Sequence, residues 1–142
     1  MTYSIANLTQ FIADLSGLDD VQADEDIFGS LGIVGDDFHE MIEKYAAAFS
    51  VDMSGYLWYF HADEEGSGFS FGNSFSAAPY NRVTRIPVTP AMLTDFANKG
   101  KWEIDYPEHK LPKMRYDLLI NMIIVTLFLI GLLLYLVNNL SE

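Results

Sequence analysis

Residues 26–49 read DIFGSLGIVGDDFHEMIEKYAAAF and contain the clearest helical pattern before the C-terminal segment. Apolar side chains recur there at the spacing of three and four residues that places them on one face of an α-helix: Phe38, Met41, Ile42, Tyr45 and Phe49. The helix is predicted to begin near Asp36 or Asp37, because Asp37 and Glu40 have the spacing of a capping box. Carboxylates at that position also favour the positive end of the helix dipole.

Two further helices flank this segment in the sequence. A first helix is predicted from Ser4 to Ser16, with Gly17 as its C-terminal stop. Another is predicted after Thr89, which can cap a helix that starts at Pro90 and ends near Gly100.

Strands are predicted on either side of the last of these helices. Residues 82–88 read RVTRIPV, and in residues 101–106 apolar side chains alternate with charged ones. Residues 56–60, YLWYF, fit either a strand or a helix. The fold class predicted from these elements is α+β, with a small strand–helix–strand element in the second half of the chain.

Residues 66–79, GSGFSFGNSFSAAP, are rich in Gly, Ser and Phe. They predict a flexible surface loop or a hairpin that turns at Gly72-Asn73. A sharper alternative is that the Phe side chains of this loop contact lipid or a partner.

The C-terminal segment is long and apolar enough to cross a membrane. Residues 118–137 read LLINMIIVTLFLIGLLLYLV, and as a helix these 20 residues rise ~30 Å, the thickness of the hydrocarbon core. The segment is apolar all round, whereas a core helix of a soluble domain has a polar face. We therefore predict a transmembrane helix from Leu118 to Val137.

Lysine and arginine are found only before this helix and not after it. Five of these cations occur between residues 99 and 115. The positive-inside rule then predicts that the single membrane helix has a cytoplasmic N-terminal domain before it and the C-terminus outside.

Charge and composition exclude several classes of function. Residues 1–66 contain 14 Asp/Glu and one Lys, whereas residues 67–142 contain 6 Asp/Glu and 7 Lys/Arg, so the net charges are −13 and +1. A nucleic-acid binder needs clustered cations, which argues against that class. Because the chain has no cysteine, disulfide scaffolds, Cys-ligated zinc and thiol nucleophiles are excluded.

The segment from Asp26 to Phe49 resembles the centre of acyl carrier proteins, in which a Leu-Gly pair leads to Asp-Ser-Leu and a helix. Here Leu31-Gly32 leads to Gly35-Asp36-Asp37. The whole chain resembles a bacterial family of acyl-carrier-like proteins of unknown function with Gly-Asp-Asp at that place, an aromatic stretch, an Arg-Ile-Pro segment and a terminal apolar segment. The resemblance implies a carrier-like helical region over residues 1–65, before the loop 66–79, the segment 80–116 and the membrane helix 117–138.

The resemblance also implies that Gly35 replaces the serine to which carriers attach pantetheine. Glycine has no hydroxyl to esterify, so no cofactor is expected. Carriers present an acidic helix to basic patches on their enzymes, and the matching residues here are Asp36, Asp37, Glu40 and Glu43. The alternative for these residues is a helix cap and a solvated charged face.

No catalytic motif and no metal site is predicted. His39 with Glu43, and His61 with the acidic residues that follow it, are too few ligands for a convincing zinc site. The leading hypothesis is a non-catalytic adaptor that binds a basic, membrane-associated protein. Its rivals are a genuine carrier modified at an unexpected hydroxyl and a small structural subunit of a membrane complex, and the oligomeric state is left open.

Overall fold

Helices provide the regular structure of the computed structural model, which describes residues 2–64 and 70–140. The elements in chain order are α1 (Ile5–Ser16), α2 (Gly35–Phe49), a 3₁₀ turn (Trp58–Phe60), α3 (Phe71–Phe75), a second 3₁₀ turn (Pro79–Arg82), α4 (Pro90–Lys99) and α5 (Tyr116–Leu140).

The predictions for α1 and α4 are confirmed. Ser4 precedes α1, and Gly17 ends it in the left-handed conformation that favours glycine. The Thr89 hydroxyl accepts the Met92 N–H at the start of α4, and Pro90 occupies the first turn, where its missing N–H costs nothing.

Helix α2 begins close to its predicted start, but the predicted capping box is wrong. The helix begins at Gly35, so Asp36 and Asp37 lie in its first turn, and Val34 at the N-cap makes no side-chain capping bond. Asp37 therefore does not cap the helix. Both carboxylates still lie near the positive end of the helix dipole.

The α+β prediction is wrong, because the described residues form no strand. In residues 83–88 the backbone makes single bonds to separate partners: the Ile86 N–H donates to Phe60, and the Val88 carbonyl accepts from Ile27. In residues 101–106 there is one isolated bridge, between Lys101 and Asp52. The alternating pattern buries Trp102 against Phe96 of α4 and the rings of Tyr56 and His61, so it reflects burial without a neighbouring strand.

The prediction for residues 66–79 is also corrected. Residues 66–69 lie outside the described residues, and the predicted hairpin turn at Gly72-Asn73 is part of the helix α3. The aromatic run of residues 56–60 contains the first 3₁₀ turn.

The core of the folded domain lies between α1, α2 and α4. Fully buried side chains include Leu8 and Ile12 of α1, Phe38 and Tyr45 of α2, and Leu93 of α4. The Tyr45 hydroxyl donates to the Leu93 carbonyl at 2.6 Å and so joins α2 to α4. This packing fixes the apolar face of α2 and leaves its other face in solvent.

Helix α5 is the one helix among the described residues that is long and apolar enough to span a membrane. Its 25 residues correspond to a length of ~38 Å, and the side chains from Met122 to Leu140 are all exposed. A helix with so much exposed apolar surface suits a membrane anchor.

An ion-pair cluster joins the folded domain to the start of α5, and we call it the junction. Arg115 forms a bidentate pair with Glu64, at 2.8 and 2.7 Å, and contacts Asp117 at 2.6 Å. The Asp117 side chain is only 4% exposed, so its charge depends on Arg115.

Candidate functional site

The four predicted binding carboxylates share the solvent-facing side of α2. Asp36, Asp37, Glu40 and Glu43 are all exposed, whereas the apolar stripe of the same helix is buried. We call this set the acidic ridge. Among residues 2–64 and 70–140, its one ion pair is the surface contact of Glu40 with Lys44 at 2.7 Å, which contributes little stability because both side chains are solvated.

An open groove of about 250 Å³ lies along one side of the acidic ridge, and we call it the α1–α2 groove. Asp37 and Glu40 line it from α2 together with Lys44. The other side is apolar and comes from the end of α1 and the loop before α2: Leu15, Leu18, Leu31 and Ile33. Sequence analysis predicted the carboxylates but not this apolar surface beside them.

The opposite side of the ridge borders a second groove. His39 and Glu43 line it together with Trp58, which follows α2 in the chain. The His39 and Trp58 rings meet edge to face, with centroids 5.7 Å apart. The ridge thus lies between two surfaces that can accept apolar side chains.

The loop before α2 is held by an interaction with a distant segment. Arg85 pairs through both of its terminal nitrogens with the Asp26 carboxylate, and its guanidinium lies 5.3 Å from the centre of the Phe28 ring. Phe28 in turn packs edge to face on Phe38 of α2. These contacts fix the loop that forms one wall of the α1–α2 groove.

Gly35 combines burial with an unusual backbone conformation. It begins α2 with a φ of 56°, a value that side-chain-bearing residues rarely adopt. A serine at this position would need that strained backbone as well as space for its hydroxyl. The conformation therefore favours glycine here independently of any resemblance.

A buried hydrogen-bond network that the sequence analysis missed is centred on His61. The Tyr106 hydroxyl accepts N–H groups from Trp102, at 2.9 Å, and from Leu57, at 3.3 Å. Its own proton is therefore available for His61 Nε2, at 2.7 Å, and His61 Nδ1–H donates to the Ile86 carbonyl at 2.9 Å. The network assigns His61 as the neutral Nδ1–H tautomer.

His61 is therefore a structural residue. Burial lowers its pKa to about 4, and both ring nitrogens are used within the domain. In residues 2–64 and 70–140, no three His, Asp or Glu side chains are placed to share a metal ion. In the sequence, this network is indicated only by Trp102 and Tyr106, four residues apart. Both belong to the alternating pattern that was interpreted as a strand.

The sequence model of a family described as a protein of unknown function, DUF1493, matches residues 9–105. The chain belongs to the DUF1493 family. No curated protein and no solved structure matches it significantly.

The DUF1493 match contains the acidic ridge, both grooves and four members of the His61 network, and ends at Asp105. Tyr106 follows directly, and Arg115, Asp117 and the whole of α5 lie beyond the matched residues. The family match therefore covers the folded domain and leaves the apolar helix outside it.

Proposed function

We propose that this DUF1493 protein is a membrane-tethered, non-catalytic adaptor whose α2 binds a basic protein partner. The observation that carries the proposal is the acidic ridge beside the α1–α2 groove. Exposed carboxylates that face an apolar wall across an open groove suit a partner segment with Lys or Arg beside a bulky apolar side chain.

The large negative charge favours a docking surface over the alternative that these carboxylates only face solvent. A net charge of −13 within the first 66 residues exceeds what solubility requires of a small domain. Complementary charge accelerates association with a basic partner and disfavours acidic ones.

The start of α2 supports recognition without covalent transfer, as proposed from the resemblance to acyl carrier proteins. Gly35 offers no hydroxyl, and its φ of 56° disfavours a serine there. The adaptor would keep the docking helix of a carrier and lack the pantetheine arm.

The tether places this surface near a bilayer. Under the positive-inside rule, the cations that precede α5 keep the domain on the cytoplasmic side of the bacterial inner membrane. Anionic lipid headgroups repel the acidic ridge, which therefore faces the cytoplasm and remains open to a partner.

Site-specific photo-crosslinking in cells tests the docking surface. A photoreactive residue replaces Leu15, which lines the α1–α2 groove and is 40% exposed, or Ala47, which is exposed on α2 but lines neither groove. We expect a discrete adduct from position 15 that disappears when Asp37 and Glu40 are changed to Asn and Gln. Equal adducts from positions 15 and 47, or adducts that survive neutralisation, would contradict the proposal.

Intact-mass measurement separates the adaptor from a genuine carrier. The full chain is co-expressed with a phosphopantetheinyl transferase and a known carrier as a positive control. We expect the control to gain the prosthetic group and this chain to keep its unmodified mass. A phosphopantetheine adduct on the chain would overturn the non-carrier assignment.

A further inference from the structure

The short helix α3 packs directly on the first turns of α5. Gly72 is buried against the backbone of Asp117, and a Cβ added to Gly72 would collide with the Asp117 carbonyl. A close backbone approach of this kind requires glycine. Helix α3 is therefore seated on the beginning of the apolar helix.

Helix α3 also provides the hydrogen-bond partners of Asn121. The Gly72 N–H donates to Asn121 Oδ1 at 2.7 Å, and Asn121 Nδ2 donates to the Ser70 hydroxyl at 2.8 Å. An amide side chain that faces hydrocarbon without partners is costly, so polar residues in membrane helices are paired. Residues 70–72 satisfy both ends of this amide.

The length of α5 sets the depth of this contact. About 20 residues are needed to cross the ~30 Å hydrocarbon core, and residues 118–137 provide them. Asn121 lies three residues into that stretch, roughly 5 Å below its start. Because α3 contacts α5 at this level, it lies at the boundary between headgroups and acyl chains.

The outer side of α3 has the chemistry of a membrane-interface segment. Phe71 and Phe75 are 69% and 76% exposed and lie four residues apart, on one side of the helix. Arg82 lies at the C-terminal end of α3, where it donates to the Ala77 carbonyl and the Ser76 hydroxyl. Exposed aromatic rings beside a cation are typical of segments that insert into the headgroup region.

We propose that α3 is a lipid-binding foot, which inserts Phe71 and Phe75 between lipids of the leaflet that α5 enters, with Arg82 near their phosphates. This inference rests on the membrane tether proposed above. Together with the junction, the foot would hold the folded domain at a fixed orientation on the bilayer and keep the acidic ridge away from it.

Depth-dependent fluorescence quenching tests the foot in the full chain reconstituted in lipid nanodiscs. Single variants carry tryptophan at the foot (Phe71→Trp or Phe75→Trp), in the middle of α5 (Leu129→Trp), or at Val34, which is exposed beside the acidic ridge. The signal of the native Trp58 and Trp102 is subtracted with the wild-type protein. The nanodiscs contain phosphatidylcholine brominated near the headgroup end or near the methyl end of the acyl chains.

We expect the fluorescence emission of the tryptophans at positions 71 and 75 to be shifted to shorter wavelength relative to the Val34 probe. Bromine near the headgroup end should quench it most strongly. The α5 probe should be quenched most by bromine near the methyl end, and the Val34 probe by neither lipid. Quenching of the α5 probe with none at positions 71 and 75 would overturn the foot while leaving the tether intact. Absence of quenching at every position would overturn the tether and the foot together.

Discussion

The acidic ridge and the junction place carboxylates in opposite environments. At the junction, Glu64 and Asp117 are both paired with Arg115, and Asp117 is almost fully buried. On the ridge, no ion pair joins Asp36, Asp37 or Glu43 to any of the described residues, and all three face solvent. A buried charge depends on its paired side chain, whereas exposed charges beside a groove with one apolar wall remain available to a second protein.

This contrast makes separate predictions for stability and for binding. Changes at the junction and in the buried network should lower the free energy of unfolding. Changes on the ridge should leave it nearly unaltered and act on association instead.

The largest expected loss of stability follows removal of the junction arginine. Arg115→Met leaves the Asp117 charge buried without its partner, and breaking such a pair costs about 3 kcal/mol. We expect the double variant Arg115→Met/Asp117→Asn to recover most of that loss. Thermal unfolding in detergent measures both variants against Lys113→Met, which removes an exposed cation two residues before Arg115. Equal melting temperatures of the two single variants would contradict the structural role of the junction.

Acid should weaken the buried network through His61. The pKa of His61 is about 4 in the folded protein and 6.5 when unfolded, so the unfolded chain binds the proton more readily between these values. Stability therefore falls as the pH drops through this window, by at most ~3 kcal/mol. The free energy of unfolding is measured for wild type and for His61→Phe across that pH range. If it changes with pH by the same amount in both proteins, His61 does not contribute.

A smaller loss is expected when α3 is displaced from α5. Gly72→Ala forces a methyl group against the Asp117 carbonyl, and overpacking of this kind costs roughly 1–3 kcal/mol. Gly131→Ala, farther along α5, is the control, because a Cβ added there meets nothing within 4 Å. Proteolytic cleavage near residue 72 should be faster in Gly72→Ala and unchanged in Gly131→Ala. An unchanged rate in Gly72→Ala would argue against the close packing of α3 on α5.

The smallest expected effect concerns the start of α2. Gly35→Ser must adopt the left-handed φ of that position, which costs about 1–2 kcal/mol. Ala47→Ser, on the exposed side of the same helix, should cost about half a kcal/mol through helix propensity alone. Chemical denaturation compares the two, and a Gly35→Ser variant as stable as Ala47→Ser would show that the backbone there accepts serine.

The sequence predicts what local signals determine in this molecule. Helices α1 and α4 end at Gly17 and Gly100, and a glycine stop of this kind can be recognised from the adjacent residues alone. Helix α5 is evident from its apolar composition. The exposure of the acidic ridge follows from the helical period of α2.

Features that depend on contacts between distant segments could not be predicted. The alternation around Trp102 looks the same whether the segment pairs with a strand or packs on helices. Likewise, α3 forms next to Asn121 through contacts between residues about fifty positions apart, and the groove beside the ridge depends on the end of α1. His61 looked like a loose metal ligand because its partners, Ile86 and Tyr106, are remote in sequence.

Recognition of a basic partner by the acidic ridge can be measured with the protein that the cross-linking identifies. The measurement compares its affinity for two variants that lose the same number of negative charges. One variant removes three charges from the ridge (Asp37→Asn, Glu40→Gln, Glu43→Gln), and the other removes three exposed charges elsewhere (Asp19→Asn, Asp24→Asn, Asp95→Asn). We expect the ridge variant to bind at least about tenfold more weakly with a flatter salt dependence, and the other variant to bind like wild type. Equal affinities for the two variants would contradict recognition by the ridge.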